Sequence, residues 1–294
     1  MPIKLLQWLA VPLALSLLYG GLCLFIYLRQ RWIIFLPEQI VELTPEDLKL
    51  DYETVWLPVG DRNEQIHGWW LPHPEPQGAV LYLHGNGGNV GSYVARASVL
   101  QEAGFSVFLF DYRGYGLSKG RFPNEQRIYE DARTALDYLH REQQFSHEQI
   151  LLVAHSLGGA VAIELAQSYQ KIHGLVVEGT FTSMRAMGQQ KLIYRYFPVT
   201  WILTQHFDSL TKISALRSPI FFIHGQADNT VPADMSERLY QAALEPKKLW
   251  LIPDAGHNDL PSIIGPDYGK AIRAFYEQNR LTPSLLSTPG AKPK

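Results

Sequence analysis

Residues 150–166, ILLVAHSLGGAVAIELA, constrain this chain more than any other stretch. An apolar run of strand character breaks at Ala154-His155-Ser156-Leu157-Gly158-Gly159 and passes at once into a helix-forming segment with small residues on its first turn. So sharp a strand-to-helix turn holds the serine hydroxyl clear of the sheet edge, in backbone strain that the surrounding fold must support. The turn brings the positions two before and two after Ser156 together, and Ala154 and Gly158 meet that demand for small residues. Alanine at the first position makes the pattern A-x-S-x-G rather than the usual G-x-S-x-G. By itself, a serine followed by glycines also describes a plain turn and helix N-cap.

The flanking sequence supplies a sheet for such a turn. Short apolar runs at 79–83, 106–110, 150–153, 174–177, 219–224 and 248–252 alternate with helical stretches at about 90–104, 124–141, 157–169, from Pro232, and 267–278. Uniformly apolar strands separated by helices indicate a mostly parallel sheet covered by helices on both faces, an α/β fold. Two earlier strands, 52–58 and 66–71, are joined by the turn Gly60-Asp61-Arg62-Asn63 and read as antiparallel. After the sixth strand, 180–217 interrupts the rhythm with long and aromatic residues, among them Met184, Met187, Tyr194, Phe197 and Trp201. Two short helices broken at Pro198 fit this insertion. Core packing accounts for many of its apolar residues, and a substrate wall is the alternative, because the insertion follows a strand end where such folds bind ligands.

With 294 residues, one large domain at 31–280 is the expectation, followed by a Pro-, Ser- and Lys-rich flexible tail at 281–294. The acidic stretch 42–51 reads as a solvated connector. Lys and Arg number 26 against 28 Asp and Glu, so there is no basic surplus for nucleic acid. The single cysteine, Cys23, precludes an intrachain disulfide and follows Leu22 rather than the small residue that lipoprotein processing favours.

Residues 5–28 carry no charge and, at about 1.5 Å per residue, are long enough to cross a hydrocarbon layer of roughly 30 Å. They read as a transmembrane helix within an anchor at 1–30, which makes the bilayer a partner of the chain. A cleaved signal and a buried helix are the competing readings. Against cleavage, the run exceeds a signal core and is followed by Arg29, Arg31 and an aromatic-aliphatic link, 29–37, with no small-x-small site. Lys4 flanks one end while Arg29 and Arg31 flank the other, which leaves orientation open with a lean towards a cytoplasmic domain.

A serine hydroxyl needs a histidine base, and the base needs an acid to hold its tautomer. Asp228, in His224-Gly225-Gln226-Ala227-Asp228, and His257, in Gly256-His257-Asn258, each follow an apolar strand. The order Ser156, Asp228, His257 suits a catalytic triad on this fold. Asp254, Asp259 and Glu178 are rival acids. Oxyanion donors are expected from the backbone N–H of Leu157 and from the loop after 79–83, at the N–H of Asn86, with Gly85 and Gly87 allowing close approach. His84 and His155 lack partners at metal-ligand spacing and read as structural, and no metal or cofactor is expected. The run 85–89 lacks the Lys-Ser/Thr of a phosphate loop. Asp111 and Arg113 read as an internal ion pair supporting the loops.

These segments together resemble the α/β-hydrolase superfamily of serine hydrolases, and within it the membrane-anchored α/β-hydrolase-domain-containing proteins. The resemblance rests on 31–37, His84-Gly-Asn-Gly-Gly88, Asp111-Tyr-Arg-Gly-Tyr-Gly116, Phe181-Thr-Ser183, 224–228 and 256–258, and it covers about 29–279. It implies nucleophile Ser156, acid Asp228, base His257 and oxyanion donors Asn86 and Leu157, with Ala154 as the departure. Such a protein is expected to cleave carboxylic esters of apolar or lipid-like acyl groups through an acyl-enzyme. Thioester or peptide hydrolysis is the enzymatic alternative, and an idle hydrolase fold serving as a membrane-tethered interaction module is the non-enzymatic one.

Overall fold

A computed structural model describes residues 2–60 and 63–280. Asp61 and Arg62 of the expected turn, and the expected tail, lie outside the described residues. Eight strands form one sheet: β1 (Glu53–Pro58), β2 (Gln65–Leu71), β3 (Ala79–Leu83), β4 (Ser106–Phe110), β5 (Ile150–His155), β6 (Gly174–Glu178), β7 (Ile220–Gly225) and β8 (Lys247–Ile252). The spatial order is β8-β7-β6-β5-β3-β4-β2-β1. All neighbours pair in parallel except β1 with β2 and β2 with β4. This is the α/β-hydrolase fold, with a helical insertion after β6.

The strands are apolar at every position because both faces are covered. In β3, Leu81 and Leu83 join the core beneath α3 (Glu125–Arg141) and α4 (Leu157–Ser168), while Val80 and Tyr82 join that beneath α2 (Val90–Glu102) and α10 (Asp267–Arg280). Asn89 and Asn124 start α2 and α3 by accepting the N–H groups of Gly91 and Arg127, which supplies partners to otherwise orphaned helix donors. The parallel register brings the carboxyl ends of β3, β5, β6, β7 and β8 to one rim of the sheet.

Two local expectations are corrected, and a third is made more definite. The stretch 42–51 is not simply solvated, since Leu43, Leu48 and Leu50 pack against the α2/α10 core. Arg113 does not pair with Asp111. Its guanidinium meets Asp131 at 2.6 Å and Glu64 and Glu130 at 2.5 Å each, while Asp111 caps α2 through the N–H of Val90 at 2.9 Å. The link at 29–37 is largely helical, because α1 runs unbroken over Pro2–Ile34.

Among the described residues, α1 is the one helix long and apolar enough to cross a membrane. Its Ala10–Ile34 stretch has a mean hydropathy of 2.0 and none of its most apolar 18-residue window is buried. Its carboxyl end is docked: Trp32 stacks on Phe122 at 5.4 Å, and the adjoining Phe35 is buried edge-on against Phe207 at 6.0 Å. The insertion contains α5 (Met184–Gln190), a 3₁₀ turn (Leu192–Tyr196), α6 (Val199–Ile202) and α7 (Ser209–Ile213), and α8 (Asp234–Ala242) and α9 (Leu260–Ile264) follow β7 and β8. Pro198 does break the path, standing as the N-cap of α6. Its return is fastened to α3, where the Glu125 carboxylate accepts the N–H groups of His206 and Phe207 at 2.5 and 2.7 Å.

Candidate active site

Ser156 stands between β5 and α4 with φ 53° and ψ −115°, a conformation that costs a non-glycine residue about 1–3 kcal/mol. The neighbouring strand end holds it there. The Ser156 N–H donates to the Glu178 carbonyl at 2.8 Å, and the Thr180 hydroxyl donates to the Ser156 carbonyl at 2.9 Å. The reason for a small residue at 158 differs from the expected one. A Cβ on Gly158 would sit 2.0 Å from the Leu83 carbonyl oxygen of β3, so the crowding comes from the next strand. Ala154 is fully buried between its register partners Leu83 and Val177, and its methyl is accommodated.

The loops after β7 and β8 bring Asp228 and His257 to this serine. His257 Nε2 lies 3.0 Å from Ser156 Oγ, and His257 Nδ1 lies 2.7 Å from Asp228 Oδ2. The other carboxylate oxygen, Oδ1, accepts the N–H groups of Thr230 and Val231 at 2.7 and 2.8 Å. Burial alone would raise the Asp228 pKa, but hydrogen bonds from His224 and His257 and from the Val231 N–H hold the carboxyl well below its usual range. His224 stands 3.3 Å from Oδ2 and is itself tied to Ser236 at 2.6 Å, a supporting role that its place at a strand end did not reveal.

The rival acids are engaged elsewhere. Glu178 accepts from the Tyr268 hydroxyl and faces Arg96 at 3.5 Å, and burial raises its pKa. Asp259 accepts the Gly256 N–H at 2.7 Å, and Asp254 is exposed.

His155 connects the loops around the serine. Burial first, then Arg96 and His257, hold its pKa well below the usual value, so it is neutral. Its Nε2–H donates to the His257 carbonyl at 2.9 Å, which leaves Nδ1 to accept from the Tyr93 hydroxyl at 3.3 Å. Tyr93 in turn accepts the Gly85 N–H at 3.2 Å. One imidazole therefore links the loop after β8 to the loop after β3.

In that second loop, close approach is required at Gly85, where a Cβ would lie 2.7 Å from the Tyr93 oxygen and 2.9 Å from His155 Nδ1. Gly87 has open space around it, contrary to expectation. The Asn86 side chain donates to the Ile34 carbonyl at the end of α1 at 2.5 Å, and the Tyr115 hydroxyl donates to the Asn86 carbonyl at 3.0 Å. Gly87 and Gly88 add a short parallel pairing with Leu36 and Pro37. Leu157 opens α4, where a first-turn N–H has no acceptor within the helix.

A cavity of about 1020 Å³ lies over these groups, with Asn86, Ser156, Leu157 and His257 in its lining. The insertion contributes Phe181, Met184, Met187, Tyr194, Phe197 and Val199, so the wall reading applies to these residues, with Phe181 also reaching the core, whereas Phe207 belongs to the core alone. A second wall went unseen in the sequence: Ile26, Gln30, Ile33 and Ile34 of α1. The one available signal was Gln30, an uncharged polar residue at the edge of an apolar helix.

The family model Hydrolase_4, described as serine aminopeptidase S33, matches residues 74–212, a span that contains Asn86, Ser156 and Leu157 and ends before Asp228 and His257. The uncharacterized protein Rv2307c of Mycobacterium tuberculosis is 34% identical over 277 residues, 94% of this chain and 97% of that protein. Protein bem46 of Schizosaccharomyces pombe is 31% identical over 278 residues, 91% of each. Among solved structures, the Pyrococcus furiosus esterase Pf2001 superposes with a TM-score of 0.70 at 20% identity, covering 83% of this chain and 98% of its own.

Proposed function

Because this chain belongs to the α/β-hydrolase superfamily, we propose that it is a serine hydrolase cleaving carboxylic esters of apolar, lipid-like acyl groups. The observation that carries the reading is the line of hydrogen bonds from Ser156 Oγ through His257 to Asp228, 3.0 and 2.7 Å long, beneath a cavity with largely apolar walls. His257 takes the Ser156 proton as Oγ attacks the acyl carbon, and Asp228 stabilises the resulting imidazolium. The N–H groups of Asn86 and Leu157 receive the oxyanion. Collapse expels the alcohol, protonated by His257, and leaves an acyl-enzyme. Water activated by the same imidazole then releases the acid and restores Ser156. Every proton in this cycle is carried by His257, so the chemistry needs no cofactor.

The exposed apolar surface of α1 supports a single-pass anchor at 1–30 that holds the hydrolase domain, 31–280, at a membrane, and we place that domain on the cytoplasmic side, with Arg29 and Arg31. Thioesters would be cleaved by the same steps. Peptide hydrolysis is favoured by the aminopeptidase description of the matching family, and a panel of acyl esters, thioesters and short peptides separates these substrates. The primary test is labelling of the full-length protein by a fluorophosphonate. Labelling that disappears in Ser156→Ala is the expected result. No labelling of the wild type would instead leave the fold as a tethered interaction module.

A further inference from the structure

The cavity over Ser156 is closed on one side by the anchor itself. Ile26, Ile33 and Ile34 of α1 line it together with Met187, Phe197 and Ile202 of the insertion. Gln30 is only 5% exposed and clasps the two elements. Its side-chain amide donates to the Ile202 carbonyl at 3.0 Å and accepts the Thr204 N–H at 2.7 Å. Farther from the sheet, the Tyr19 hydroxyl donates to the Tyr196 carbonyl at 2.9 Å and its ring stacks on Phe197 at 6.0 Å.

These contacts set a depth. Tyr19 lies within the apolar Ala10–Ile34 stretch and, at a rise of about 1.5 Å per residue, roughly 22 Å along the helix from Ile34. The insertion therefore runs beside the apolar helix and does not stop at its end. Leu192, Ile193, Tyr196 and Trp201 of the insertion are 64–87% exposed and add apolar surface beside α1, with the cations of Lys191 and Arg195 exposed among them. Such a surface beside a spanning helix suits hydrocarbon and not water.

We propose that α1 and the insertion together form a membrane-embedded acyl-binding site whose substrate is a bilayer-resident lipid ester. Its chain enters sideways from the hydrocarbon layer and lies against Ile26 and Ile33 while its ester carbonyl reaches Ser156. The occupant follows from continuity of the cavity wall with the apolar surface of α1. It follows also from a volume at the upper end of the roughly 300–1,000 Å³ typical of small-molecule pockets, far more than a short ester needs. The proposal rests on the hydrolase reading above and deepens it by naming where the substrate comes from.

The experiment uses the full chain in phosphatidylcholine vesicles and compares labelling rates by a hexadecyl and a butyl fluorophosphonate. Ile26→Trp and Ile33→Trp, which fill the α1 wall, lower the hexadecyl-to-butyl ratio at least about tenfold. Ile26→Ala, which opens the same wall, keeps the ratio at or above that of the wild type, and this separates chain accommodation from loss of folding. In parallel, lipids brominated on their acyl chains quench an emission component that Trp201→Phe removes. An unchanged ratio in both tryptophan variants, or no bromolipid-sensitive component at Trp201, overturns the inference while leaving the hydrolase reading intact. Absence of any labelling of the wild type overturns both.

Discussion

Asp228→Asn tests the proposed chemistry most sharply, because the surroundings dictate how the new amide must sit. Oδ1 of Asp228 is fixed as an acceptor by the N–H groups of Thr230 and Val231 at 2.7 and 2.8 Å. Asparagine therefore keeps its oxygen on that side and turns its NH₂ towards His257 Nδ1, the position now held by Oδ2 at 2.7 Å. Two donors cannot face each other, so His257 gives up the proton on Nδ1 and carries it on Nε2, towards Ser156 Oγ at 3.0 Å. The imidazole is then unable to accept the serine proton. A wrong tautomer in such a triad lowers turnover by about 10⁴, equivalent to about 5 kcal/mol of transition-state stabilisation. The assay is kcat for a p-nitrophenyl butanoate, with the thermal midpoint recorded to show that the fold persists. Glu178→Gln is the matched control: its carboxyl meets Tyr268 and Arg96, and turnover is expected to stay within several-fold of the wild type. Asp228→Asn within tenfold of wild-type kcat, or Glu178→Gln falling by the larger factor, would refute the assignment of the acid.

Other consequences follow from the same structure. Asn86→Asp keeps an acceptor for Tyr115 but cannot donate to the Ile34 carbonyl, so the loop that presents the Asn86 N–H loosens. Its kcat is expected to fall about tenfold to a hundredfold with little change in KM, and a change confined to KM counts against a positioning role. Gly158→Ala drives a methyl to within 2.0 Å of the Leu83 carbonyl and should cost at least about 1–3 kcal/mol in urea unfolding, whereas Ala154→Gly, which crowds nothing, should cost about 0.5–1 kcal/mol. Acid sensitivity is expected from Glu64, since burial would raise its pKa but hydrogen bonds from Arg121 and Arg113 hold it at about 2. The folded value lies below the unfolded 4.5, so this stabilisation is complete above about pH 4.5 and is lost as pH falls towards 2, amounting to at most about 3 kcal/mol. Arg113→Met, which strands buried Asp131 and leaves Glu64 with Arg121 alone, should cost about 3–5 kcal/mol at pH 7, and stability curves at pH 7 and pH 3 check both statements.

Much of the fold was legible because a parallel sheet covered on both faces writes itself as short, uniformly apolar runs, and six such runs named the strands from β3 to β8. The same uniformity hid the direction of each side chain. Glu178 and Asp228 both stand near strand ends, and apolar alternation in β6 cannot distinguish its faces. Register does: Val176 and Glu178 point into the α2/α10 side, where Glu178 is taken up by Tyr268 and Arg96, while Asp228 alone meets His257 Nδ1. Gly158 was legible as small, but the carbonyl that requires it belongs to Leu83, a residue 75 positions away that no local pattern identifies. The insertion left two readings open because exposed and buried aromatics look alike in sequence. The structure divides them, with Phe207 in the core and Trp201 exposed.

The second cavity wall has a different origin, and it changes what the proposed anchor does. A flexible link after residue 28 would let the domain tumble beneath the membrane, and the site would meet the bilayer only by chance. Here the helix continues to Ile34, and it is fixed at three points, Gln30 on the insertion, Trp32 on Phe122 and Ile34 on Asn86, with the next residue, Phe35, fixed on Phe207. Each contact joins residues far apart in the chain, and together they leave no swivel between α1 and the rim of the sheet. In the proposed anchored state, the tilt of α1 thus dictates the direction in which the cavity over Ser156 opens. A helix bound so closely to the loop that carries Asn86 also has a role that survives removal of the membrane. Deleting residues 1–34 is therefore expected to impair turnover of even a short, water-soluble ester, and a truncated protein with full activity on such an ester would show that the anchor is only a tether.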